Sequence, residues 1–337
     1  MKAYQIGPQT GLASLTATTR PDPVPGPGEA LLKVRLAALN NRDIQVLEGL
    51  YGAKKAEDRI PGSEGVGEVI ALGEGANGIA VGDRAVFAHF ANWLGGAFAG
   101  AYFGTDYGIS HDGWLAEYIK VPVAALIPVP DGLSDEQVCA LASSALTAWH
   151  ALVDVGQVKA GELVLALGTG GVAIWALQLA KAKGARVAIT SSSDAKLDLA
   201  RALGADITIN YRTHPDWVAE LQRETGGAGA DIVLETGGQA GLPEAINAAA
   251  TNGRIVLIAV GPPSDKPLPN FGAIIGKNLT LKGIAEGSRE MFVALLDALV
   301  ASNIQPVIDR TFDFDQTPQA YAYLASASHV GKVVIRF

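Results

Sequence analysis

Gly168, Gly170 and Ala173 stand in the spacing G-x-G-x-x-G/A. They follow the apolar run Leu163-Val164-Leu165-Ala166-Leu167 and precede a helical pattern through Trp175, Leu177, Gln178 and Leu179. Strand, tight turn, helix is the context in which a glycine-rich turn holds a pyrophosphate. The first glycine permits the turn, the second lets backbone approach the phosphates, and the small third residue lets helix pack on strand. Gly168, Thr169, Gly170, Gly171 and Val172 would then present unpaired N–H groups and the positive end of a helix dipole to phosphate oxygens. The chemistry implied is the binding of a dinucleotide.

The adenosine end narrows which dinucleotide. A site for NAD usually places an acidic residue about 20 positions beyond the first glycine, where it holds the ribose 2′-hydroxyl. Here the second strand ends Ala188-Ile189-Thr190-Ser191-Ser192-Ser193, with no carboxylate. Ser191 and Ser192 offer hydroxyls, Lys196 follows one short turn later, and Tyr211 and Arg212 come just after the third strand. Donors without a repelling acid favour the 2′-phosphate of NADP over NAD. The alternative is that the serines only cap the next helix and Lys196 is a solvated surface residue.

These residues need a scaffold. From Ser134 onward helix and strand alternate. The pattern predicts strands at 186–190, 206–210, 231–235, 254–259 and 279–284, with helices at 194–203, 215–225 and 242–250. That alternation specifies a parallel, doubly wound α/β sheet. Residues 1 to about 125 read instead as mostly strand punctuated by Gly and Pro. Asn40-Asn41-Arg42-Asp43 opens a short helix for which Asp43 is a candidate cap. The segment from His89 to His111 has no period and reads as loop. Its aromatic residues, with Phe87, Phe90, Trp93, Phe98, Tyr102, Phe103 and Tyr107 in or beside it, would line a pocket or pack the loop. A helix at 289–302 and a strand at 332–337 close the chain.

Composition excludes other classes. A chain of 337 residues, 49% of them hydrophobic, has room for two cores. A formal charge of -8 argues against a nucleic-acid surface. Cys139 is the one cysteine, so no disulfide framework exists and a reducing, cytoplasmic compartment is expected. The first residues lack an apolar signal core, and no window approaches eighteen consecutive apolar residues, so no membrane span is expected.

The chain resembles the medium-chain dehydrogenase/reductase superfamily over nearly its whole length. The resemblance is carried by Pro61-Gly62-Ser63-Glu64-Gly65-Val66-Gly67-Glu68-Val69, Val81-Gly82-Asp83-Arg84 and Gly113-Trp114-Leu115-Ala116-Glu117-Tyr118. Thr147-Ala148-Trp149-His150-Ala151-Leu152, the glycine-rich turn, Leu203-Gly204-Ala205-Asp206 and Gly331-Lys332-Val333-Val334-Ile335 complete it. It implies a GroES-like, mostly-β catalytic domain over 1–125 and 289–337, a Rossmann domain over 126–288, and an active site in the cleft between them. It also implies a homodimer.

In zinc-dependent members, Cys, His and Cys hold a catalytic metal. The matching positions here are Asn40, Ser63 and Ser143, whose oxygens substitute poorly for thiolate and imidazole. A four-cysteine structural site has no counterpart. The histidines at 89, 111, 150, 214 and 329 include no pair at i, i+3 or i, i+4. The chain is therefore similar to a zinc-free branch that includes the quinone oxidoreductases. That likeness places Asn40, Asp43 and Tyr51 near the nicotinamide and Thr147 on the cofactor.

Without a metal, charge arriving on a substrate oxygen must be held by hydrogen-bond donors. Candidates are Asn40, Asn41, Arg42, Tyr51, Ser143 and Thr147, with Tyr51 the preferred proton source. Asp43 as a cap and Arg42 as a surface or salt-bridged residue are the plainer readings. Three functions stay open. The first is NADPH-dependent reduction of quinones or α,β-unsaturated carbonyls, small-molecule substrates that spread charge by conjugation. The others are a zinc-free alcohol or carbonyl dehydrogenase, and an NADPH-binding sensor without turnover.

Overall fold

The computed structural model describes residues 1–51, 56–261, 265 and 269–337. They form two compact units, Met1–Leu146 with Glu286–Phe337, and Thr147–Ala285. The first break therefore lies later than residue 125. Strand 126–128 still pairs within the first unit, and the backbone N–H of Ser143 donates to buried Glu64. The second break lies just ahead of Glu286, which is ion-paired to Arg42 of the first unit.

The first unit opens with β1 (Lys2–Ile6), β2 (Leu15–Thr19), β3 (Glu29–Leu39), β4 (Glu64–Leu72), β5 (Arg84–Phe87), β6 (Tyr118–Pro122) and β7 (Leu126–Pro128). The second unit supplies β8 (Leu163–Ala166), β9 (Arg186–Ser191), β10 (Ile207–Asn210), β11 (Ala230–Glu235), β12 (Ala249–Leu257) and β13 (Thr280–Gly283). The chain then returns to the first unit for β14 (Ile308–Asp313) and β15 (Lys332–Arg336).

In the first unit the sheet runs β14-β15-β3-β4-β5-β7. β3 is long enough to take β6 along Glu29–Lys33 and β15 along Leu36–Leu39, with β4 as its other neighbour. Two register shifts interrupt the β3–β4 ladder, and Gly65 allows the close approach they need. A Cβ there would fall 2.6 Å from the Leu36 carbonyl oxygen and 2.7 Å from the Trp114 ring. Trp114 is fully buried and stacks on Phe87 at 4.9 Å. The consequence for function is positional: the end of β3, the start of β4 and the start of β15 meet, bringing Asn40, Glu64 and Lys332 together.

The loop from His89 to His111 carries only isolated bridges and a 3-10 turn at Gly100–Gly104. Its aromatic residues pack on one another: Phe98 meets Trp93 at 5.0 Å, Phe103 at 5.1 Å and Phe90 at 5.7 Å, all edge to face. This small cluster holds a segment that has almost no ladder bonds of its own. Phe87 and Tyr107 belong to the main core.

The second unit is a six-stranded parallel sheet in the order β10-β9-β8-β11-β12-β13. This is the doubly wound Rossmann order, and its direction reverses between β8 and β11, the switch point beyond whose strand ends sheets of this kind bind ligands. β12 starts at Ala249, earlier than the expected 254, through a pairing of Ala230 with Ala249 and a register shift beyond it.

The helical stretch Asp135–Val155 is, by length and composition alone, apolar enough to cross a membrane. Inside the protein 83% of that apolar window is buried, so a packed core accounts for its character. The stretch contains π-helical turns at Leu141–Ala145 and His150–Val155. Such turns frequently mark functional positions, and the first one carries Ser143 and Ser144.

Candidate functional site

Each unit holds one constellation. In the second, β8 ends in Leu167-Gly168-Thr169-Gly170 and a twelve-residue helix, Gly171–Ala182, begins at once. Gly168 has φ +82°, a conformation that favours glycine. A Cβ built on Gly168 or Gly170 meets no atom within 4 Å, so the backbone there faces open space. The helix cap, Gly170, supplies no side-chain hydrogen bond. The first-turn N–H groups are left for an acceptor from outside the chain. Residues 168–172 thus fit a dinucleotide pyrophosphate.

Around this turn, Gly168 N–H donates to Thr190 Oγ1 at 3.2 Å, and Thr236 Oγ1 donates to the Leu167 carbonyl at 3.1 Å. Glu235, at the end of β11, is buried and accepts the N–H groups of Gly237 and Gly238, each at 2.8 Å. Burial raises its pKa while those two bonds oppose the rise. The sequence gives no sign of this carboxylate beyond an acid closing a buried strand.

At the adenosine end, Ser191 is buried, its hydroxyl accepts the Ser193 N–H at 3.3 Å, and its carbonyl accepts the Tyr211 N–H at 3.0 Å. Tyr211 is exposed beside it, and Ser192 and Lys196 are half-buried. The next acid along the chain, Asp194, already accepts from Asn210 Nδ2 at 2.8 Å. The end of β9 therefore gathers Ser191, Ser192 and Tyr211 without a carboxylate of its own.

The constellation in the first unit is a saturated polar network. Lys332 and Glu64 form an ion pair of 2.6 Å with side chains 2% and 0% exposed. Lys332 Nζ also reaches the Leu39 carbonyl at 2.7 Å, Asn40 Oδ1 at 2.6 Å and Ser144 Oγ at 3.1 Å. Glu64 Oε2 accepts the Ser143 N–H at 2.7 Å.

Asn40 lies at the centre of this network, and its expected role as a donor to substrate needs correction. Nδ2 spends both protons, on Ser63 Oγ at 3.1 Å and Glu64 Oε1 at 2.8 Å. Oδ1 accepts from Ser144 at 2.8 Å and from Lys332. An amide has two protons and two lone pairs, and all four are used here.

Asn40, Ser63 and Ser143 are the positions matched to metal ligands. As arranged, they do not fit a catalytic zinc. Among the described residues no three His, Cys, Asp or Glu side chains gather as a metal site.

Asp43 is not the cap residue of helix Asn41–Leu47. Asn40 is, and Asp43 accepts the Asn40 backbone N–H at 2.7 Å from inside the first turn. Burial pushes its carboxyl up to about 6, against opposition from Arg42 and the Asn40 bond. Arg42, next to it, is buried rather than on the surface. Its Nη1 donates to His89 Nε2 and to Glu286 Oε1, the latter at 3.1 Å. An arginine can only donate, so His89 Nε2 carries the lone pair and the proton sits on Nδ1. Burial and then the guanidinium charge depress the His89 pKa, keeping the ring neutral.

Tyr51 lies with its ring 4.5 Å from the Arg42 guanidinium carbon. The Glu286 carboxylate, then burial, push its hydroxyl up to about 12. The first unit therefore brings Asn40, Asp43, Tyr51 and Ser143 into one neighbourhood, though Asn40 and Asp43 are bound internally. Thr147 is buried in the second unit.

A Rossmann unit with an open glycine-rich turn, joined in one chain to a GroES-like unit, defines a dinucleotide-dependent oxidoreductase class. Residues 26–131 match the alcohol dehydrogenase GroES-like domain family, and residues 171–301 the zinc-binding dehydrogenase family. A zinc-type alcohol dehydrogenase-like protein of Schizosaccharomyces pombe is 40% identical over 316 residues, covering 92% of this chain and 91% of that protein. The crystal structure of a putative alcohol dehydrogenase from Sinorhizobium meliloti superposes with TM-score 0.91 at 36% identity, covering 100% of this chain and 99% of that one. The quinone oxidoreductase of Coxiella burnetii superposes with TM-score 0.81 at 26% identity, with coverage of 100% and 99%. The chain belongs to the medium-chain dehydrogenase/reductase superfamily and is an oxidoreductase of that type.

Proposed function

We propose that this protein is a zinc-independent, NADPH-dependent reductase of quinones or α,β-unsaturated carbonyl compounds. The observation that carries the reading is the closed network at Asn40, Ser63 and Ser143. Around the positions that the resemblance matches to zinc ligands lies a buried ammonium, Lys332, in a network whose members satisfy one another. Likeness to a quinone oxidoreductase supports the substrate class.

Residues 168–172 hold the pyrophosphate, and Ser191, Ser192, Lys196 and Tyr211 favour the 2′-phosphate through donors unopposed by an acid at the strand end. When bound, the reduced nicotinamide supplies a hydride. The chain's part is then to hold negative charge on a substrate oxygen and to return a proton. Conjugated substrates suit this, because they spread the arriving charge and need no Lewis acid. Tyr51 stays protonated at neutral pH and is the preferred proton source.

The reading includes a cytoplasmic homodimer. Its support is a single buried cysteine and, in the second unit, exposed Phe271 and Ile275 on the short helix ahead of β13, the sheet's outer strand.

The test is a steady-state comparison of 2-cyclohexenone, 1,4-benzoquinone, an aldehyde and a primary alcohol with NADP(H) and NAD(H), after dialysis against a chelator. Reduction of the first two with NADPH, unchanged by chelation, is the expected outcome. Dominant alcohol oxidation, or activity lost with the metal, would sink the proposal. A zinc-free alcohol or carbonyl dehydrogenase is the second reading, favoured by the alcohol dehydrogenase likenesses at 36% and 40% identity.

A further inference from the structure

Arg42 is a buried cation with three of its five N–H donors unspent. The bonds to His89 and Glu286 use both protons of Nη1. Nε is buried and has no hydrogen-bond partner, and the bonds Arg42 makes to described residues leave from Nη1, not Nη2. Nε–H and one Nη2–H lie side by side in the guanidinium plane, a fork suited to oxygen lone pairs. The Tyr51 ring, 4.5 Å from the guanidinium carbon, lies against the cation. Buried donors are almost always paired, so the orphaned Nε–H, with Nη2 beside it, marks a place for an acceptor that the chain does not provide.

The surrounding charge says which acceptor. Glu286 is paired to Nη1 at 3.1 Å, and Asp43 adds a second carboxyl, this one buried, nearby. A permanently anionic ligand would be a further negative group around one guanidinium. A neutral carbonyl oxygen enters without that repulsion and gains most when it becomes charged, the condition for catalysis by differential binding.

We infer that the Nε–Nη2 edge of Arg42 receives the carbonyl oxygen of the substrate and selects neutral conjugated carbonyl compounds. The inference rests on the reductase reading above and names the group that holds the charge. A bound reduced nicotinamide would supply hydride to the β-carbon; the C=C π pair would then shift to join the α-carbon to the carbonyl carbon, and the C=O π pair would move onto oxygen as the enolate. Tyr51, the proton source in that reading, would give its hydroxyl proton to the α-carbon as the oxygen pair re-forms C=O, and would regain a proton from water. Arg42 faces the oxygen throughout and changes no bond.

The test uses 4-(dimethylamino)cinnamaldehyde, an enal whose absorption moves to the red when its oxygen accepts a strong hydrogen bond, with oxidised cofactor present so that no turnover occurs. The wild-type protein should give the red shift. Arg42→Lys, which keeps a charge but loses the fork, should lose it, as should the charge-balanced Arg42→Gln/Glu286→Gln pair if the lysine variant folds poorly. Glu286→Gln alone should retain it. Cofactor affinity, read by NADPH fluorescence, should change less than twofold in Arg42→Lys, while kcat for 2-cyclohexenone falls at least tenfold. A shift that survives in Arg42→Lys or the double variant, or no shift in the wild type, overturns the inference. Wild-type protein that shows the Arg42-dependent shift yet reduces no enone or quinone would instead refute the reductase reading.

Discussion

Lys332 Nζ stands 2.6 Å from Glu64 Oε1, two charges from opposite ends of the chain buried beside each other. Breaking such a pair leaves one charge stranded in the interior, whereas removing both charges does not. Lys332→Met is expected to destabilise the fold by about 3–5 kcal/mol, and adding Glu64→Gln should restore part of the loss. Urea unfolding of the two variants decides it. A single variant within about 1 kcal/mol of wild type would show that the pair contributes nothing a neutral side chain could not.

Asp43 links the same region to pH. Burial lifts its carboxyl to about 6 from an ordinary 3.8, so the folded state binds its proton more tightly than the unfolded chain does. Its contribution to stability is therefore greatest below pH 4 and is lost as pH rises through 6. Asn in its place does not titrate and still accepts the Asn40 N–H. Asp43→Asn should gain on wild type by up to about 3 kcal/mol between pH 4 and pH 8. Unfolding free energies measured at both pH values should diverge in that direction; parallel values would mean the carboxyl titrates normally.

How much of this was legible beforehand differs between the units. The turn at 168–172 could be read because strand, glycines and helix are contiguous, and every group involved is local. The Rossmann order followed from the alternation of elements around it. Asn40 could be located but not understood, since its partners Ser144 and Lys332 lie 104 and 292 positions away. Lys332 itself reads in sequence as the first residue of a closing strand. Arg42 looked like a surface or salt-bridged side chain because no local pattern records that helix Asn41–Leu47 turns it inward to His89 and Glu286. Local periodicity specifies elements, while the meeting of three strand ends is a tertiary fact.

Cofactor choice can be reversed at Ser191. It ends β9 buried and already accepts a backbone N–H, and no acid competes there. Ser191→Asp would place a carboxylate where the 2′-phosphate is proposed to lie. NADPH affinity should fall at least tenfold, about 1.4 kcal/mol, and NADH affinity should rise. Lys196→Ala should weaken NADPH while leaving NADH unchanged. Fluorescence titration of both reduced cofactors checks these outcomes, and equal losses for the two would argue against discrimination at this end.

Gly168 and Gly170 separate folding from binding within one turn. Both have open space where a Cβ would go. Gly168 has φ +82°, so Gly168→Ala forces a left-handed alanine and should cost about 1–2 kcal/mol of stability. Gly170 has φ -78° and ψ -174°, an extended conformation any residue adopts, so Gly170→Ala should leave the thermal midpoint unchanged. Its methyl would occupy the space through which the phosphates approach the helix N-terminus, and the dissociation constant for NADPH should rise at least tenfold, about 1.4 kcal/mol. Gly170→Ala thus predicts lost binding on an intact fold. Unaltered NADPH affinity in that variant would mean that the phosphates do not approach the chain at this turn.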